Sequence, residues 1–501
     1  MKRLIDLDND ENAFQASPTE RIKKENKSTT EENDFSDDKT MTNVNENLKE
    51  NSSTMSPAND SNFTAEEPDI TDQPTNDSTI IQHLDQSTSE RDEMQENIFK
   101  NFRLRRVIRE NHGQDTTRAV FFFDADHIGP HQDFEHDSRL ALEKNPQDTC
   151  NIVATVGGAQ VNIYDNEHCG DNLDLVSHFT LDPSENRKTQ TSRKELNACC
   201  WIRKGYDGYL ITAGKDTMIH ILSMLTSQEV KVLSGHSKPI VDLQRVPNSK
   251  SYIMSASRDG TVRLWNIDTE NCLAIYEVDA SVIAIEPSGK QFFTGGFKGD
   301  IRRWDLPSLD YIPESPKVFG RLESQLVTLI GHPGNGKKPH GDSPIDCIRF
   351  AGEHIVSKST NNRMEMWDPE TFQHIRSFKV KNSIDNVCRF DISLDGKFLA
   401  VGGSNGNAYI YNLRTGKVVV ELSHRRAVKA IRACAFSHDC RNVICTTQGA
   451  TVLRYDYVPA ETLEKWDKWQ EKNAKRLAKQ RNKNAKNSGG SNSNKRARIR
   501  K

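Results

Sequence analysis

Long apolar runs are missing from this sequence of 501 residues. Because no stretch of about 18 consecutive apolar residues exists, we expect no membrane-spanning helix and no contact with a membrane. The N-terminal MKRLIDLDND lacks the apolar core of a secretory signal peptide. The ten cysteines include no CxxC pair, and no Cys/His group has ligand spacing. We therefore expect free core cysteines in a reducing compartment, no metal site and no cofactor.

Catalytic motifs are also missing. No Ser-His-Asp or Cys-His arrangement stands in a context typical of an enzyme family. Residues 331–338 read GHPGNGKK, which is similar to a phosphate-binding loop, but that motif needs Ser or Thr where Lys338 stands. Pro339 and Gly341 then break the helix that the motif requires. We interpret the chain as non-enzymatic.

Charge is distributed unevenly along the chain. Residues 1–98 are rich in Asn, Asp, Glu, Ser and Thr and carry a net charge of about −15. Such a segment cannot bury enough apolar surface to offset its chain entropy, so we expect a disordered acidic leader. Residues 459–501 have the opposite charge, about +10, so the total of −3 hides two opposed tails.

The most regular segment lies between these tails. Residues 235–266 begin with Gly-His, continue through SYIMSASRDGTVRLWN, and place an Asp-Gly turn between two apolar runs. This pattern resembles one blade of a WD-repeat propeller. In such blades a histidine, a strand hydroxyl, an aspartate and a tryptophan form a buried hydrogen-bonded set. Here these are His236, Ser255 or Ser257, Asp259 and Trp265, and we assign Ser257 as the hydroxyl.

Six further segments repeat the design, in which a β-rich run, a polar or glycine turn and a second run follow one another. They are 151–165, 209–222, 291–305, 354–368, 397–412 and 442–456. Seven such units predict an all-β fold, a seven-bladed WD-repeat β-propeller over residues 102–458. We expect 102–108 to close the ring by pairing with the last blade. Residues from about 310 to 343 are interpreted as a flexible insert between the fourth and fifth blades.

The C-terminal residues divide into two parts. Residues 459–482 predict a helix on which Leu463, Trp466, Trp469 or Gln470, and Leu477 can share one face. Residues 483–501 predict a disordered basic tail. It ends in a cluster that suits nuclear import or weak nucleic-acid contact, with a merely solubilising tail as the alternative. The cluster consists of Lys495, Arg496, Arg498, Arg500 and Lys501.

The second half of the propeller region is more specific. Residues 345–367 contain an unusual SKS step, and residues 422–456 contain LSH, AIR and FSHD steps; ENHGQ at 110–114 supports them. Together these segments resemble the extra sex combs / embryonic ectoderm development family, the WD-repeat subunit of Polycomb repressive complex 2. The resemblance covers roughly residues 105–457.

The resemblance implies a scaffold role in the nucleus. Members of that family hold a histone methyltransferase catalytic subunit together with other Polycomb complex subunits. They also read methyl-lysine on the histone H3 tail through an aromatic cage, by cation–π attraction. Aligned with the family, this sequence has Arg118, Asn197, Asn386 and Val387 at the cage positions, and none is aromatic. Methyl-lysine reading is therefore doubtful.

Two more residues match family positions at the channel mouth. They are Arg389 and Arg432, for which structural pairing is the alternative to a binding role. The main hypothesis is thus a non-catalytic chromatin scaffold that supports transcriptional repression. The alternative is a general WD-repeat adaptor, such as a substrate receptor of a ubiquitin ligase.

Overall fold

The computed structural model describes residues 92–122, 151–166, 173–181, 195–309, 315–333, 338–381 and 387–496, with side chains as far as Gln480. All of them belong to a unit that spans residues 76–501. Within these residues the chain forms an almost wholly β structure of seven sheets, each a blade of one propeller. The predicted all-β, seven-bladed fold is therefore confirmed.

Blades 1 to 3 each contain four consecutive antiparallel strands. Blade 1 has β2 (Thr116–Phe121), β3 (Ile152–Gly157), β4 (Gln160–Asp165) and β5 (Asp174–Thr180). Blade 2 has β6 (Leu196–Lys204), β7 (Asp207–Gly214), β8 (Ile219–Ser223) and β9 (Gln228–Leu233). Blade 3 has β10 (Ile240–Arg245), β11 (Tyr252–Ser257), β12 (Thr261–Asn266) and β13 (Cys272–Glu277).

Blades 4 to 6 continue the same order. Blade 4 has β14 (Ala280–Ile285), β15 (Gln291–Gly296), β16 (Ile301–Asp305) and β18 (Gln325–Leu326). Blade 5 has β19 (Ile345–Ala351), β20 (His354–Ser359), β21 (Arg363–Trp367) and β22 (His374–Lys379). Blade 6 has β23 (Asp391–Ile392), β24 (Phe398–Gly402), β25 (Ala408–Asn412) and β26 (Lys417–Leu422).

Blade 7 joins the two ends of the propeller. Three of its strands come from the C-terminal side, namely β27 (Ile431–Phe436), β28 (Asn442–Thr447) and β29 (Thr451–Tyr457). The fourth is β1 (Phe102–Arg109), which pairs antiparallel with β29 from Phe102 opposite Tyr457 to Arg109 opposite Thr451. The ring closes as the sequence predicts, and an apolar cluster of Phe121 and Val153 with Ile444 and Val452 fills the join between blades 7 and 1.

The remaining core lies between neighbouring blades, because both faces of each sheet are apolar. Trp265, Trp304 and Trp367 are almost fully buried, and each packs among residues of the preceding blade. The first strands of successive blades contact one another around the ring, so these strands line the propeller axis. Side chains that point inward from them therefore meet at one place, whatever their separation in sequence.

The expected insert over 310–343 proves to be partly ordered structure. Its β18 supplies the outer strand of blade 4, and β17 (Lys317–Phe319) adds a fifth, parallel strand to the edge of blade 3. A 3₁₀ turn at Arg321–Glu323 separates the two. Strands of two or three residues carry too little periodicity to be recognised in a sequence. Residues 310–314 and 334–337 lie outside the described residues.

A helix that the sequence did not reveal precedes the ring. Helix α1 spans 92–100 and thus includes the last residues of the expected leader, whose positions 1–91 lie outside the described residues. Phe99 is fully buried, with its ring 4.9 Å from that of Phe398 and 5.9 Å from that of Phe436. Asp92 lies 2.9 Å from the Lys397 ammonium. The helix is therefore part of the core.

The C-terminal helix α2 (Ala460–Arg496) begins as expected but continues beyond residue 482. The Arg105 guanidinium of β1 lies 5.0 Å from the centre of the Trp466 ring, which attaches α2 to the closing blade. Trp469, by contrast, is 62% exposed. Among the described helices, none is both long enough and apolar enough to cross a bilayer.

Candidate binding site at the mouth of the central channel

A cavity of about 460 Å³ opens on the propeller axis. Its walls include residues from the inner edge of all seven blades, which shows that it is the mouth of the central channel. In order of blade these are Arg118, Asn197, Val241, Ser281, Asp346, Arg389 and Arg432. The site therefore exists only in the closed ring.

The structure brings most of the sequence-predicted binding residues to this cavity. Three positions aligned with the family cage, Arg118, Asn197 and Val387, line it, and so do Arg389 and Arg432. Asn386 lies outside the described residues. Val387 is about half exposed, whereas Arg118 is buried. The three aligned positions thus line the cavity, but with an arginine, an asparagine and a valine in place of aromatic residues.

Arginines 118 and 389 share one carboxylate that the sequence analysis did not single out. Asp242 of β10 is fully buried and accepts a hydrogen bond from the Arg118 guanidinium, while Arg389 Nη1 lies 3.5 Å from its second oxygen. The backbone N–H of Ile283 donates to the same carboxylate at 2.9 Å. Asp242 therefore connects blades 1, 3, 4 and 6 across the channel.

Burial and charge act against each other in this group. Burial favours the neutral carboxyl, but Arg389 and Arg118 outweigh it and hold the pKa of Asp242 below its usual range. Burial, together with the nearby Arg389, lowers the pKa of Arg118 to about 10, so that it stays protonated at neutral pH. The group therefore carries two positive charges and one negative charge.

The third arginine at the mouth has its own partner. Arg432 of β27 donates from Nε and Nη2 to Asp115 at 3.1 and 3.0 Å, and the N–H of Gly449 donates to the other Asp115 oxygen. The backbones of Arg389 and Arg432 are themselves hydrogen bonded, at 2.9 Å. Both channel arginines thus make structural pairs, which was the alternative left open for them.

The SKS step contributes a buried lysine to the same region. Lys358 of β20 is completely buried and lies 2.5 Å from Asp346, whose carboxylate also accepts the N–H of Cys388 at 3.0 Å. The other Asp346 oxygen is buried with no hydrogen-bond partner among the described residues. It is therefore an unused acceptor in a residue that lines the cavity.

Aromatic surface is scarce in the cavity. Phe297 is the one aromatic residue among the described residues that line it, and the Arg258 guanidinium lies 4.9 Å from the centre of its ring. A methylated ammonium is held by several ring faces at once. The described walls of this cavity offer one ring, which a cation already contacts, together with Arg118, Arg389 and Arg432.

Away from the axis, blade 3 contains the hydrogen-bonded set that its sequence indicates, with one difference. His236 lies 2.7 Å from both Asp259 and Ser255, and the Trp265 indole donates to Ser255 at 2.8 Å. The hydroxyl at the centre therefore belongs to Ser255, whereas Ser257 donates to the Lys238 carbonyl at 2.8 Å. Ser257 stands opposite Ile240, next to a register shift, and bonds to the loop that leads into β10.

Blade 5 repeats this set without the aspartate. The Trp367 indole donates to Ser357 at 3.2 Å, and the two nitrogens of His340 lie 2.8 Å from Ser357 and 2.9 Å from Ser359. Burial lowers the pKa of His340 to about 3, so the ring is neutral. The two serines of the SKS step are therefore structural.

Comparisons with known proteins agree with this architecture. The family model for the WD domain, G-beta repeat, matches residues 227–266. The chain is 25% identical over 331 residues to Polycomb group protein FIE2 of Zea mays, covering 61% of this chain and 84% of the maize protein. It is 23% identical over 382 residues to Polycomb protein esc of Drosophila melanogaster, covering 70% and 83%. The chain thus contains a WD repeat and is similar in sequence to the Polycomb esc and FIE proteins.

The first blade contains another buried acid. Glu110, in the ENHGQ segment, is 5% exposed. Burial alone would raise its pKa, but hydrogen bonds outweigh burial and lower the pKa to about 2. The Glu110 carboxylate is hydrogen bonded to five side chains. They are His112 at 2.8 Å, Thr116 at 2.8 Å, Asn162 at 2.9 Å, Tyr164 at 3.0 Å, and Thr155. The ENHGQ segment, which supports the resemblance, is thus a buried hydrogen-bonded centre of blade 1.

The candidate import cluster lies beyond the propeller in the sequence. Lys495 and Arg496 form the last two positions of α2. Arg498, Arg500 and Lys501 lie outside the described residues. The first two residues of the cluster therefore end the helix that follows the closing blade.

Proposed function

We propose that this chain is a non-catalytic scaffold subunit of a Polycomb-type histone H3 lysine methyltransferase complex, and that it acts in the nucleus. The observation that carries the proposal is the similarity to Polycomb proteins over more than four fifths of the maize and fly relatives' length. Support also comes from the site. The ionic side chains at the channel mouth are largely paired with one another, which suits a rigid docking surface better than proton transfer.

The test is recovery of the tagged full-length chain from nuclei of its own organism. We expect a histone methyltransferase and other Polycomb subunits to copurify, together with methyltransferase activity on histone H3. The tag alone is the control. Recovery of cullin-type ligase components without methyltransferase would contradict the proposal and favour the adaptor alternative.

We propose in addition that the channel mouth does not select trimethyl-lysine. Arg118 and Arg389 repel an ammonium group, and the one aromatic ring among the described wall residues cannot enclose it alone. Calorimetric titration with histone H3 peptides, unmethylated and trimethylated, tests this. We expect equal or absent binding for the two forms, in wild type and in Phe297→Ala alike. A preference for the trimethylated peptide that Phe297→Ala abolishes would show that the ring forms a working cage.

The basic C-terminal cluster is proposed to direct nuclear import. Replacing Lys495, Arg496, Arg498, Arg500 and Lys501 with glutamine removes five positive charges. We expect the fluorescently tagged variant to leave the nucleus. A matched variant with Lys483 and Lys486 replaced should remain nuclear, because these lysines lie outside the cluster. Unchanged localisation of the five-residue variant would leave the cluster as a solubilising tail.

A further inference from the structure

Two histidines and a glutamate meet at the outer strands of blade 5, away from the inner strand that lines the channel. Nε2 of His332 lies 3.4 Å from one oxygen of Glu365, and Nε2 of His374 lies 3.0 Å from the other. The two imidazole rings are perpendicular, with centres 5.0 Å apart. One ligand atom from each residue lies within 4.8 Å of the other two.

We propose that His332, Glu365 and His374 bind a zinc ion. Two imidazoles and one carboxylate are a ligand set that zinc commonly takes, with a fourth position left for water. In a tetrahedral site with bonds of about 2.0–2.1 Å, neighbouring ligand atoms lie about 3.3 Å apart. The two histidines contact different oxygens of Glu365, so with either oxygen as the ligand one separation already matches that value. The other separations must shorten by no more than about 1.5 Å.

The fold, and not the sequence spacing, assembles this set. Glu365 lies on β21, directly opposite Ser377 on β22. A register shift between Met366 and Trp367 then brings His374 opposite Trp367, so that His374 faces the same side of the sheet as Glu365. Without that bulge, His374 would point to the other side.

The third ligand comes from the segment that follows blade 4. Ile330 pairs with the start of β22, because its N–H donates to the Phe372 carbonyl at 2.8 Å and its carbonyl accepts the His374 N–H at 2.8 Å. These two bonds hold His332 above the sheet. His332 belongs to GHPGNGKK, the segment that looked like a phosphate loop, and the structure gives this histidine a different partner set.

The site is enclosed enough to bind an ion firmly. The side chains of His332, Glu365 and His374 are 8%, 3% and 10% exposed. Ser377 donates to Glu365 at 2.5 Å, and its hydroxyl also lies 2.9 Å from Nε2 of His374. This contact holds the carboxylate in place and must give way at Nε2 when zinc binds there. Zinc here would fasten the segment after blade 4 to the outer strand of blade 5. The absence of ligand spacing in the sequence does not exclude such a site, because the three residues come from separate elements.

The test uses the full chain without a histidine tag. The protein is stripped with EDTA, mixed with zinc chloride, passed through a desalting column and assayed for metal by mass spectrometry. The readout is the difference in bound zinc between wild type and His332→Gln, because histidines elsewhere in the chain can retain zinc adventitiously. We expect His332→Gln, Glu365→Gln and His374→Gln each to weaken this binding by at least about tenfold.

A matched control is available in blade 2. His220 lies between Asp216 and Glu229, at 2.7 and 2.6 Å, but that group contains one histidine. His220→Gln should therefore retain as much zinc as wild type. Cobalt substitution supplies a second readout, since tetrahedral cobalt absorbs visible light and His332→Gln should lose that band.

Folding is checked separately from binding. His332 lies in a connecting segment, so the melting temperature of His332→Gln in EDTA should equal that of wild type, and zinc should raise it only in wild type. Equal zinc retention by wild type and His332→Gln, or no retention by wild type, would overturn the proposal. The three side chains would then form only a hydrogen-bonded network. The outcome is independent of the proposed Polycomb role.

Discussion

Removal of the Asp242 carboxylate should destabilise the whole ring. The change Asp242→Asn keeps the shape of the side chain and one carbonyl oxygen for the Ile283 N–H, but it removes the charge that Arg118 and Arg389 share. Both guanidiniums then stay buried without a counter-ion, because their side chains are only 7% and 11% exposed. Such an uncompensated charge is costly in a protein interior.

The size of the effect follows from the burial of all three groups. Loss of one partner from a buried ion pair costs about 3–5 kcal/mol of unfolding free energy. Scaled to a propeller as large as Phe102–Tyr457, this loss lowers the melting temperature by roughly 4–7 °C. The comparison requires one fixed scan rate, because large propellers unfold irreversibly on heating.

The assay is thermal unfolding by circular dichroism at several pH values. The fold lowers the pKa of Asp242, so the stability that this carboxylate provides is complete above the unfolded pKa of about 4 and is lost as the pH falls below it. We therefore expect a constant difference between wild type and Asp242→Asn from pH 5 to 8, which narrows below pH 4.

A surface acid of the same blade provides the control. Asp268 lies 2.6 Å from Lys204, but its side chain is 43% exposed, so Asp268→Asn should cost less than about 1 kcal/mol. The double variant Arg118→Met, Asp242→Asn should regain part of the lost stability, since it removes one unpaired cation. If Asp242→Asn melts at the same temperature as Asp268→Asn, the central role given to this carboxylate is wrong.

Three further predictions concern single side chains. Ser255→Ala should lower stability by about 1–3 kcal/mol and change the fluorescence of Trp265, whereas Ser257→Ala should leave that fluorescence unchanged; equal spectra would contradict the assignment. In wild type, burial of the neutral His340 ring makes the folded state less stable as the pH falls from about 6.5 to 3. His340→Gln should reduce this pH dependence of stability, and an unaltered pH profile would refute the reasoning. Phe99→Ala should cost about 3–5 kcal/mol in chemical unfolding, and a near-zero effect would exclude α1 from the core.

The propeller itself could be predicted because its signal is repeated. Each of the seven units carries a strand, a polar or glycine turn and a second strand, so that errors in one unit matter little. The closing strand was also predictable, since its apolar pattern at Phe102–Arg109 stands alone before blade 1. Short elements were missed because each carries a weak signal that no other unit repeats. Helix α1 has about two turns, and β18 has two residues.

The chemistry of the channel mouth was only partly predictable. Alignment with a family named Arg118, Asn197 and Val387, which do line the cavity. Asp242, the partner of Arg118 and Arg389, could not be recognised, because it lies 124 residues from Arg118 and 147 from Arg389 and meets them only when the ring closes. The proposed zinc ligands escaped notice because His332, Glu365 and His374 come from separate elements that only the pairing within blade 5 brings together. Contacts between inner strands follow from circular geometry, which no local spacing encodes.

The closing strand also sets the order in which this protein can mature. Residues 102–109 emerge from the ribosome early, yet their hydrogen-bonding partner at 451–457 is made some 350 residues later. At ordinary translation rates of 5–20 residues per second, that interval is roughly 20–70 s. During this time the edge at 102–109 stays exposed to other nascent chains, so chaperone protection should matter most for the part of the protein that is synthesised first.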